Sequence, residues 1–180
     1  MTEQREASED AVMTRIGQAV ILLHAGDREE ARNRLGEIWS EIGEGGDLLH
    51  RCTLAHYMAD AQDDPAEELA WDLRALSAAE GNAAEGMAVE GTAEGPPLQR
   101  EPHQAVRVFY PSLHLSLAAD YVKLRRPEAA RAHLARARAA AGVLADDGYG
   151  NGVRAAIARL ERRLDGDRAG RARPFPEQGP

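Results

Sequence analysis

The chain has 180 residues, 43% of them apolar but only 4% aromatic, with a net charge of −8. That length suffices for one domain with its own core, and the Ala-rich apolar share suits close helix packing better than a β-sandwich. The lone Cys52 excludes an internal disulfide, and the longest apolar run, Ala19–Leu23, is far short of the ~20 residues of a membrane span, so a cytoplasmic protein without membrane contact is expected.

Taken in chain order, residues 1–7 carry no basic-then-apolar leader and are expected to be disordered. Seven helices then follow from apolar stripes at a spacing near 3.6. The first two stripes are Val12/Ile16/Ala19/Leu23 and Ala31/Leu35/Ile38/Ile42. Asp27 caps the second helix, with Glu30 three residues on as a capping-box partner. The third stripe is Leu48/Cys52/Ala55/Ala59 and the fourth Leu69/Leu73/Leu76, opened by Asp64 and Pro65. Residues 81–107 are rich in Gly, Ala, Glu and Pro, hold no sustained stripe and read as a mobile loop. Beyond them run Leu113/Leu117/Tyr121/Leu124, Ala130/Leu134/Ala137/Ala141 and Val153/Ile157/Leu160/Leu164, with Pro111 and Pro127 opening the first two of these helices. Residues 166–180 are basic, then Pro-rich, and read as a disordered tail. No stretch alternates with period two for long, so no sheet is predicted.

Charge is unevenly placed. Residues 1–100 hold 21 acids and 8 bases; residues 101–180 hold 9 acids and 14 bases. The later Arg residues could neutralise phosphates. The whole chain is acidic, however, and aromatics for base stacking are scarce, so nucleic acid is not the expected partner.

One short pattern recurs: an apolar helix, a tight polar turn and a second helix at once. It runs through Ala25-Gly26-Asp27-Arg28, Ala61-Gln62-Asp63-Asp64-Pro65 and Leu124-Arg125-Arg126-Pro127. Leu117, Tyr121, Ala130, Leu134 and Ala137 in the third unit, Gly26, Ala31 and Leu35 in the first, and Tyr57, Leu69, Leu73 and Leu76 in the second carry a resemblance. The chain resembles a degenerate tetratricopeptide-repeat (TPR) protein over residues 8–165. The family's early Trp is absent, with His114 at that place in the third unit, and Ala19 and Ala118 stand for its Gly.

The resemblance implies an all-α fold, a right-handed stack of antiparallel helical hairpins (a TPR-like α-solenoid) in one domain. A closed antiparallel bundle is the rival arrangement. The resemblance also implies a non-catalytic module that binds a protein or peptide partner in a concave groove. By position that groove would show Arg51, Leu54, Met58, Ser112, Leu115, Ala119 and Lys123, unless a loop, the tail or a second subunit of a homodimer fills it. The alternative is a small metal- or thiol-dependent enzyme. Cys52, His56 and Asp60 lie at i, i+4 and i+8 on one helix face, where thiolate, imidazole and carboxylate suit Zn²⁺ or a nucleophile and base. No fourth ligand is identifiable, so no cofactor is expected.

Overall fold

A computed structural model describes residues 2–81 and 104–171 of the chain. Helices make up its regular structure, and no strand occurs among the described residues. The long helices are α1 (Thr2–His24), α2 (Arg28–Ile42), α3 (Leu48–Asp60) and α4 (Pro65–Ala79). A short turn of helix, α5 (Gln104–Arg107), precedes α6 (Tyr110–Lys123), α7 (Pro127–Ala140), a 3-10 turn (Ala141–Val143) and α8 (Gly148–Arg171). No helix among the described residues is long and apolar enough to cross a membrane.

Three expected boundaries move. Helix α1 begins at Thr2, so residues 2–7 are helical where disordered chain was expected. The Glu and Ala of that stretch favour helix once the nucleus behind it exists. Residues 104–107, expected within a loop, form α5 instead. Val106, 1% exposed, is buried and anchors that turn. Residues 166–171, expected within a disordered tail, belong to α8, which runs to Arg171. Residue 1, residues 82–103 and residues 172–180 lie outside the described residues.

Substantial packing joins sequential neighbours: α1 with α2, α2 with α3, α3 with α4, α4 with α6, α6 with α7, and α7 with α8. The next-neighbour pairs α1/α3 and α6/α8 also touch. The helices therefore form an all-α stack of neighbouring pairs. Its apolar interior falls into three successive clusters. Ile16, Leu35, Ile38, Leu54 and Met58 fill the first, and Cys52, Ala55, Ala75, Val106 and Leu113 the second. Ala118, Leu134, Val153, Ile157 and Leu164 fill the third. Each fully buried Leu or Ile contributes about 1.5–3 kcal/mol. Trp39 and Trp71 meet edge to face with ring centres 5.2 Å apart, and both pack against the first and second clusters.

Helix α4 buries a face other than its expected stripe, and α3 buries a second face besides its own. In α4, Asp72, Ala75, Ala78 and Ala79 are buried, while Leu73 is 41% exposed. Small residues let α4 approach α3 and α6 closely, so the Leu edge turns outward. Helix α3 lies between α2 and α4 and is buried on two sides. Leu54 and Met58 join the first cluster, Cys52 and Ala55 the second.

Candidate functional site

The double burial of α3 corrects the expected groove. Arg51, Leu54 and Met58 are 6%, 0% and 6% exposed, so they do not line an open surface. The strip that α3 leaves partly open is Thr53, His56, Tyr57 and Asp60, one step round the helix. On α6 the expected residues are more accessible: Ser112, Leu115 and Ala119 are half-buried and Lys123 is exposed.

Tyr149, near the start of α8, is 46% exposed, and its hydroxyl donates to Ser112 Oγ at 2.9 Å. Ser112 in turn donates to the Phe109 carbonyl at 2.8 Å. The Tyr57 phenol is pushed up by burial, then by Asp60 and by Tyr149. Tyr149 thus reaches the partly open strip of α6 that holds Ser112, Leu115 and Ala119.

Cys52, His56 and Asp60 do not come together as one set. Cys52 is buried, and burial, followed by the charge of Asp72, pushes its thiol up to about 12. It stays protonated at neutral pH, when only the thiolate is a strong nucleophile or metal ligand. His56 instead meets Asp72, Nδ1 to Oδ1 at 3.3 Å. Burial works to lower the His56 pKa, but the hydrogen bond and charge of Asp72, with Asp60, outweigh it and raise it. Among the described residues, no group of three or more His, Cys, Asp or Glu side chains is placed to hold a metal ion.

Asp72 belongs to a carboxyl cluster that the stripes conceal. It is 2% exposed and Asp120 on α6 is 1% exposed. The Asp120 carboxyl is pushed up to about 8, chiefly by burial and then by Asp72 and Glu68, and the two aspartates are within hydrogen-bonding reach. A proton held on Asp120 beside the close Asp72 carboxyl explains this arrangement. Lys123 Nζ is 3.7 Å from Asp120 Oδ1 and pairs with Glu68. Asp120 Oδ2 has no hydrogen-bond partner among the described residues. Such a pair is chemically able to hold and release a proton, but both carboxyls are closed off from solvent. Their immediate role is at the α4–α6 junction.

A search of known families, curated proteins and solved structures finds no match to the chain.

Proposed function

We propose that the chain is a non-catalytic protein-interaction module, a degenerate TPR-like stack that seats an extended segment of a partner across α3, α6 and α8. One observation supports this reading above the others. Ser112, Leu115 and Ala119 stay incompletely buried on α6, and the exposed Tyr149 of α8 reaches Ser112. Small and apolar floor residues accept side chains of a partner. The Tyr149 hydroxyl beside them suits the exposed backbone groups of an extended chain, which need hydrogen-bond partners.

The test is affinity selection of random displayed peptides on the intact chain. Selected peptides should bind at least about tenfold more weakly to Ala119→Arg, a loss of about 1.4 kcal/mol. Circular dichroism should show both proteins equally helical. Peptides that bind the variant as well as the parent would remove this face as the interaction site.

A further inference from the structure

A recess of about 320 Å³ opens between the end of α2, the start of α3 and the later turns of α4. Its volume lies at the small end of the range for ligand sites. Trp39, Arg51 and Arg74 line it, together with Ser40 and Ser77. None of these residues belongs to the α3–α6–α8 face.

Arg51 is the unusual member. It is 6% exposed, with its guanidinium 5.4 Å from the Trp39 ring centre. Nη1 donates to the Glu44 carbonyl at 2.8 Å, while the buried Nε has no partner among the described residues. Arg74 is exposed and lies 4.4 Å over the Trp71 ring. Neither guanidinium forms an ion pair among the described residues.

Removing a cation from water is costly unless fixed acceptors replace the hydration. One carbonyl and one ring face replace little of it for Arg51, whose fork carries five donors. A second guanidinium at the same opening, also without an anion, adds to the unmet donor capacity. We propose that this recess is a binding site for a small oxyanion, a carboxylate or phosphate on a short apolar stem. The oxygens take the outward donors of Arg51 and Arg74, and the stem lies against Trp39. Planar forks bind both anions well. The Glu44 carboxylate stands exposed among the lining residues, and the first 100 residues are strongly acidic. Both features disfavour a polyanion and leave a compact ligand with one charged end.

The chain has only two tryptophans; Trp39 lines the recess and Trp71 lies beneath Arg74, so intrinsic tryptophan fluorescence responds to binding there. The intact protein is titrated with benzoate, phenyl phosphate and inorganic phosphate at constant ionic strength. Saturable change is expected with benzoate or phenyl phosphate at millimolar concentration or below, and the better of the two identifies the anion. Arg74→Gln, a surface change that should fold normally, is expected to raise half-saturation about tenfold. Arg51→Lys keeps the charge but loses the fork and should weaken binding as well. No saturable change with either stem-bearing probe would overturn the proposal. So would equal half-saturation in the parent and Arg74→Gln.

Discussion

Arg125 holds a backbone conformation that glycine holds in the matching turn between α1 and α2. Its φ is 57°, and that of Gly26 is 93°. The hydrogen bonds around them are the same. Asp27 N reaches Leu22 O at 3.0 Å, and Arg126 N reaches Tyr121 O at 2.8 Å. Gly26 N and Arg125 N close the inner bonds to Leu23 O and Val122 O, as at a Schellman helix end. An L side chain in the left-handed region costs about 1–2 kcal/mol. A glycine there returns some of that gain through unfolded-chain entropy, about 0.5–1 kcal/mol. Arg125→Gly should therefore stabilise the protein by roughly 0.5–1 kcal/mol. The urea midpoint should rise at unchanged slope. Gly26→Ala should move it the other way. A Cβ at Gly26 would meet nothing within 4 Å, so that loss would report backbone strain and not a clash. A lower midpoint for Arg125→Gly would show that the Arg side chain contributes more than its strain costs.

At the scale of the element, the helix starts differ in how firmly they are capped. Asp47 Oδ1 accepts from Leu49 N at 2.9 Å and His50 N at 3.2 Å at the head of α3. Asp27 accepts only from Glu30 N, at 3.4 Å, at the head of α2. Asp47→Ala should cost about 1 kcal/mol and Asp27→Ala about half that, read by chemical denaturation. Equal losses would contradict the geometric ranking. The Asp27 cap was legible because Glu30 follows in capping-box spacing; Asp47 sits behind Gly45-Gly46 with no such partner. Periodicity likewise revealed each long helix, because stripes of Leu, Ile and Val depend only on local geometry. It misplaced α4, whose buried face is Ala and Asp while Leu73 faces out. It also misplaced the groove, because the rotation of α3 is set by helices on two sides. Asp72 and Asp120 gave no apolar signal, so only the packing of α3, α4 and α6 brings them together with His56. Tyr149 reaches Ser112 through a contact 37 residues apart in sequence, which no local pattern encodes.

The whole molecule carries two titrations that oppose each other. His114 and His133 face one another across α6 and α7, Nδ1 to Nδ1 at 3.0 Å. Burial, the neighbouring His133 and Arg136 lower His114 from 6.5 to about 4; burial and Arg136 lower His133. Neutral imidazoles thus favour the fold. Their contribution is complete above pH 6.5 and is lost as the pH falls through the depressed values. Asp120 behaves in reverse, with its pKa raised from 3.8 to about 8. Its protonated form favours the fold, fully below about pH 4, and that contribution is lost as the pH climbs towards 8. His56, also raised, adds to the loss above pH 6.5. Between about pH 4 and 6.5 the Asp120 and His114 effects offset one another. Above 6.5 the histidine pair is silent, and the Asp72–Asp120 repulsion acts on the α4–α6 packing that joins the first four helices to the rest. The thermal midpoint should therefore stay nearly level through mildly acidic pH and fall from pH 6.5 to 8. Asp120→Asn keeps the shape and gives Asp72 an amide donor in place of the Asp120 proton. That variant should lose most of the alkaline fall and be more stable than the parent at pH 8. If its midpoint falls as steeply, the carboxyl pair does not govern the junction, and another ionisation must be sought there.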